Sequence, residues 1–151
     1  MKKIVSSFII IAIVFLFLCS CESAEEYYVQ KTIRVKVRHV SCFEVYDEYD
    51  LYFDGIKRDQ KYDLPSGKVN PSYKVLFTVT DISEDGVTIA FSQPMDKIVE
   101  DGTDHFELDQ LSFVLREDNP QTFATPTDGG GDVFIFSIID KRDAPTDKQF
   151  R

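Results

Sequence analysis

The chain of 151 residues predicts an all-β protein, an antiparallel β-sandwich of seven or eight strands spanning residues 31–140. Two observations lead there. Apolar and polar residues alternate with a period of two in several separate runs, which is the pattern of strands with one face in a core and the other in water. Turn residues divide these runs at intervals of about 8–12 residues, and no convincing amphipathic helix interrupts them. Ahead of the domain stands a basic, then apolar segment of the kind that directs export.

That segment comes first in chain order. Lys2 and Lys3 precede an apolar run from Ile4 to Leu18, followed by Leu18-Cys19-Ser20-Cys21. A charged start, a short apolar stretch and a small residue at the cut describe a cleaved signal peptide. Here the cut falls at a cysteine. The segment thereby resembles the lipobox of bacterial lipoproteins, in which a small residue precedes a cysteine that is diacylated on sulfur, with chains such as palmitate, and becomes the mature N-terminus. The resemblance implies loss of residues 1–20, lipidation of Cys21, and attachment to the cell membrane or outer membrane facing the extracytoplasmic side. Ser20 before Cys21 is small, whereas Leu18 before Cys19 is bulky, so Cys21 is the better lipid site. Two acyl chains suffice for stable anchoring where one does not. The alternative is an uncleaved anchor helix, for which the charge-free run from Ile4 to Cys21 falls short of the roughly 20 residues a spanning helix needs.

Removing residues 1–20 leaves 131 of the 151, the size of one domain. Lys2 and Lys3 leave with the signal, which takes the net charge from −9 to −11. Such a surface lacks the basic patch that nucleic-acid binding requires, and nucleic acid is excluded as a partner. Once Cys19 is discarded and Cys21 acylated, Cys42 stands alone beside Val40 and Phe43, which reads as a buried small hydrophobe.

Residues 21–30 are polar and acidic with two tyrosines and read as a lipidated tether. The first strand follows, with Ile33, Val35 and Val37 alternating with Arg34, Lys36 and Arg38. The stretch 43–62 fits a helix through Tyr46, Tyr49 and Phe53 or a strand through Val45, Tyr49, Leu51 and Phe53. Strand is favoured because aromatic residues suit a pleated surface and Asp54-Gly55 then supplies a hairpin turn. Val75, Phe77 and Val79 alternate with Thr78 and Thr80, and Asp85-Gly86 joins this strand to Val87–Phe91 in a second expected hairpin. Leu111–Arg116, Gln121–Ala124 and Val133–Ile139 complete the set. Val133-Phe134-Ile135-Phe136-Ser137-Ile138-Ile139 is apolar on both faces, so it predicts a central strand covered on both sides. Residues 141–151 are charged, include Pro145 and read as a flexible tail. The architecture is immunoglobulin-like in outline, although the absent Trp and Cys pair exclude a true immunoglobulin core. A closed β-barrel is the alternative. Seven tyrosines and 13 phenylalanines exceed what a thin core obviously needs, which directs some of them to an interface.

Catalytic and metal motifs are sparse. No G-x-S-x-G elbow is present, and the glycine run 129–131 opens a strand without the lysine of a P-loop. Glu100–Asp104 and Asp128–Asp132 supply carboxylates without EF-hand spacing, and His39 and His105 are the only histidines. No metal or cofactor is implied. His39 and Cys42 are three apart, an odd spacing that puts them on opposite faces of a strand. Asn119-Pro120-Gln121-Thr122 ahead of a glycine-rich loop resembles the chagasin-type inhibitors of cysteine proteases, also small exported β-sandwiches. The absent Trp and the loop order depart from that family, so no residue roles carry over.

Two ligand-binding candidates remain. Tyr46, Tyr49 and Tyr52 are interleaved with Asp47, Glu48 and Asp50, a composition suited to a glycan or protein surface. Asp128 and Asp132 flank the glycine run in a loop at one end of the sandwich, where such folds place recognition surfaces. The reading is a non-catalytic binding module on a lipid anchor, with an envelope protein or glycan as partner. An accessory carbohydrate-binding protein and a small extracytoplasmic hydrolase are the alternatives.

Overall fold

The structure is a computed structural model that describes residues 23–41, 44–65, 74–99, 105–125 and 130–145. Cys21, Cys42 and Asp128 lie outside them. A short helix, α1 (Ala24–Val29), precedes β1 (Lys31–Ser41), β2 (Glu44–Asp54), β3 (Lys61–Leu64), β4 (Val75–Ser83), β5 (Gly86–Val99), β6 (His105–Leu115), β7 (Gln121–Ala124) and β8 (Gly130–Asp140). A single 3-10 turn, Lys141–Asp143, closes the described chain.

All eight strands belong to one antiparallel sheet with the order β2-β1-β8-β7-β5-β4-β3, and β6 pairs the remaining side of β5. The ends of this order meet. The ring of Phe53 on β2 lies 4.7 Å from that of Tyr62 on β3 and 5.4 Å from that of Phe77 on β4. The sheet is therefore curled into a half-barrel, between the sandwich and the closed barrel that the alternation predicts. β5 makes the corner: its first half pairs β4 through Phe77↔Phe91, and its second half pairs β7 through Lys97↔Phe123. Pairing with β6 slips between Ala90 and Met95, around Pro94. Proline has no N–H to give a ladder, so a bulge at a bend accommodates it.

The inner face carries the core. Phe77, Phe91, Phe113, Phe123, Phe134 and Phe136 are all buried there, with the rings of Phe113 and Phe123 3.9 Å apart at their centroids. These phenylalanines belong to the core and not to an interface. Alternation in β1 follows the expectation, with Ile33, Val35 and Val37 fully buried and Arg34, Lys36 and Arg38 on the outer face.

Several local expectations are corrected. The expected tether contains α1, nucleated by a capping box in which Ser23 Oγ accepts from the Glu26 N–H at 3.2 Å and the Ser23 N–H donates to Glu26 Oε2 at 3.3 Å. Asp54-Gly55 ends β2 without making a hairpin, because β2 and β3 stand at opposite ends of the strand order. The Gly55 N–H instead donates to the Lys31 carbonyl at 3.2 Å, and the chain crosses from one layer to the other. The β4–β5 hairpin forms as expected. Ser83 pairs Gly86, however, so Glu84 and Asp85 occupy the turn itself. Finally, β8 is central in pairing, between β1 and β7, but only one of its faces is fully covered: Val133, Ile135 and Ile139 on the outer face remain half-buried.

Candidate functional site

At the end of the half-barrel away from α1, β1 and β8 bring two polar side chains together. His39 is opposite Asp132 in the β1–β8 register, and both face inward. His39 Nδ1 contacts Asp132 Oδ1 directly, with the histidine 3% and the aspartate 7% exposed. Sequence distance hid this pair; the register of two strands 93 residues apart created it.

The surrounding shell fixes both groups. The Asp132 N–H donates to Thr125 Oγ1 at 3.0 Å and the Thr125 N–H donates to the Asp132 carbonyl at 3.0 Å, one rung beyond the last pair of β7 and β8. Tyr49 on β2 packs its ring 5.6 Å from the His39 imidazole. Burial, then the negative charges of Asp132 and Asp47, push the Tyr49 phenol above its ordinary value. A carboxylate on Nδ1 orients the imidazole and selects the tautomer with Nε2 as its basic nitrogen. That is half of a general-base arrangement. No cluster of His, Cys, Asp and Glu suited to a metal is found among the described residues.

Of the candidate site residues, the structure unites Tyr49 and Asp132, on either side of His39. It separates Tyr49 from Tyr52, because their odd spacing on β2 sends one ring inward and the other to the outer face. Tyr46 lies on β2 with its side chain outside the described set. The carboxylates interleaved with these tyrosines serve the sheet. Asp50 takes the Arg34 guanidinium through two bonds of 3.0 and 2.9 Å, and Glu48 takes Lys36 at 3.1 Å and Arg38 at 2.6 Å. Both cations hold the Glu48 carboxyl below the usual carboxylate range. This charged ladder runs along the terminal strand of the sheet order, where charge discourages pairing with other chains. Sequence reasoning missed His39 and Thr125 as members of the cluster. The available signal was a histidine at an inward position of the alternating β1 run.

Two open concavities among the described residues lie at the other end. One is lined by Asp54, Gly55, Lys57, Arg58, Asp59 and Gln60, the other by Gln30, Asp140, Lys141 and Arg142. Comparison with known proteins gives no match to any family model, curated protein or solved structure. The class defined by fold and site is thus an all-β half-barrel with a buried His-Asp pair at one end.

Proposed function

We propose that this protein is a lipid-anchored component of the cell envelope whose half-barrel serves as a non-catalytic binding module. The observation that carries the reading is the placement of Ser20-Cys21 at the end of an apolar run, two residues ahead of the cap of the domain's first helix. Such a layout leaves the whole ordered domain outside the membrane once the signal is removed. No helix among the described residues is long and apolar enough to cross a membrane. The internal bonding of His39, Asp132 and Thr125 supports a scaffolding role for the cluster. It pins the ends of β1, β7 and β8 at the end of the domain that would meet an envelope protein or glycan. The test is metabolic labelling with palmitate and membrane fractionation of wild type beside Cys21→Ala. Label on wild type that is lost in the variant together with the removal of residues 1–20 supports the anchor; wild type that takes up no label removes it.

One observation favours a second reading, a small hydrolase: His39 and Asp132 are joined as the base and orienting acid of acyl-transfer sites are. Turnover on an ester and glycoside panel that disappears in His39→Ala would select it. A flat panel favours the binding module.

A further inference from the structure

We propose that the end of the domain bearing α1 lies directly on the lipid bilayer, held close by the two-residue step from Cys21 to Ser23, so that the His39 end is presented away from the membrane. The inference rests on the lipid-anchor reading of Cys21.

A lipoprotein domain on a long flexible leader samples many orientations. Here the leader is almost absent. Cys21 and the helix cap Ser23 are two residues apart, a span of at most about 7 Å for extended chain. From Ser23 onward the chain is part of the domain body. Tyr28 is buried in the core at 6% exposure, and Glu25 pairs with Arg58 Nε at 3.2 Å. The Tyr27 ring lies 4.6 Å beneath Lys31 Nζ, and that ammonium also bonds Asp140 at 2.8 Å and Glu117 at 3.1 Å. The exit from the helix is tied as well, since the Gln30 carbonyl accepts the Lys141 N–H at 3.3 Å. A lipid on Cys21 therefore pulls on the body of the domain, and the face around Ser23 must meet the headgroups.

That face is formed by the 54–60 crossing and the 3-10 turn. Its exposed cations Lys57, Arg58, Lys141 and Arg142 are mixed with the exposed carboxylates Glu25, Glu26, Asp59 and Asp143. Mixed charge lets an otherwise acidic domain approach lipid without requiring anionic headgroups, which commits the partner to the bilayer surface as such. The opposite end is set by strand length. Eight residues of β1 separate Lys31 from His39, a rise of about 26 Å at 3.3 Å per residue. The His39 cluster thus stands well clear of the headgroups.

Lysine footprinting reads this orientation without new cysteines. The lipidated protein, reconstituted in phosphatidylcholine vesicles, and a lipid-free mature chain that begins at Glu22 are treated with a membrane-impermeant amine reagent, and each lysine is quantified by mass spectrometry. Lys57 and Lys141 should react at least threefold more slowly on vesicles, while exposed Lys74, toward the other end, keeps its rate. Ten Gly/Ser residues inserted between Glu22 and Ser23 should restore Lys57 and Lys141 with co-sedimentation intact. Equal rates at all three lysines in vesicle-bound wild type overturn the fixed orientation while leaving the anchor in place. Wild type that carries no lipid mass and does not sediment with vesicles overturns the anchor reading, and this inference with it.

Discussion

His39 and Asp132 meet as a buried side-chain pair across the β1–β8 ladder, and Asp132 is held in turn by backbone exchange with Thr125. A buried polar group that loses its partner costs its desolvation penalty. Asp132→Ala should therefore destabilise the domain by about 2–3 kcal/mol, measured by urea denaturation. Asp132→Asn, which retains an acceptor oxygen, should cost clearly less. Equal stability of Asp132→Ala and wild type would show that the pair does not support the fold.

Tyr62 poses the opposite case. Its ring stacks 4.9 Å from that of Phe77, but its hydroxyl is buried and has no hydrogen-bond partner among the described residues. Tyr62→Phe keeps the ring and removes the stranded oxygen. We expect a gain of about 1 kcal/mol, or roughly 3–5 °C in Tm by calorimetry. A loss of stability would mean that the hydroxyl is bonded after all.

Burial also pushes the Tyr62 phenol up to about 12, above its ordinary value of 10.0. The folded state then holds the proton more tightly than the unfolded state. Its contribution is complete below pH 10 and is lost as pH rises through 12. Alkaline denaturation should be steeper in wild type than in Tyr62→Phe across that window. The shifts of Tyr28 and Tyr49 have the same sign and leave a residual slope in the variant.

The fold was legible wherever one face of a strand is wet. Arg34, Lys36 and Arg38 between Ile33, Val35 and Val37 announce β1 without ambiguity, and Gln121–Ala124 coincides with β7. What escaped were relationships between distant segments. Asp54-Gly55 has the local chemistry of a hairpin, but nothing local states that β3 will pair β4 instead of β2. The capping box Ser23-Ala24-Glu25-Glu26 was written in the sequence and masked by the polarity around it. Asp132 and Tyr49 were legible as site candidates, whereas their convergence on His39 required the register of three strands.

Gly86 illustrates a local signal with a second cause. It has φ of +138°, and a Cβ placed there would lie 2.1 Å from the Leu115 carbonyl oxygen of β6. A backbone atom cannot yield as a flexible side chain does. Gly86→Ala should cost roughly 2–4 kcal/mol, well beyond a simple turn substitution, and denaturant titration beside the turn variant Asp85→Ala will separate the two.

Lys31 joins α1 to the ends of β6 and β8. Its bond holds the Asp140 carboxyl below the usual carboxylate range, and the carboxylates hold the ammonium well above the ordinary lysine value. A depressed carboxyl contributes stability above its unfolded value and loses it as pH falls through the folded one. In Lys31→Met, the Asp140 titration followed by NMR should move back up toward 3.8, and α1 should lose amide protection. An unmoved Asp140 would refute the coupling.

Whether this half-barrel is carried on a lipidated Cys21 is read from the intact mass of the protein extracted from native membranes. A lipid-anchored protein gives a chain beginning at Cys21, lighter than the 17.4 kDa precursor by residues 1–20 and heavier by a diacylglyceryl group, with both changes absent in Cys21→Ala. A membrane-bound chain with the full unmodified mass would contradict it and make the N-terminal segment an anchor helix.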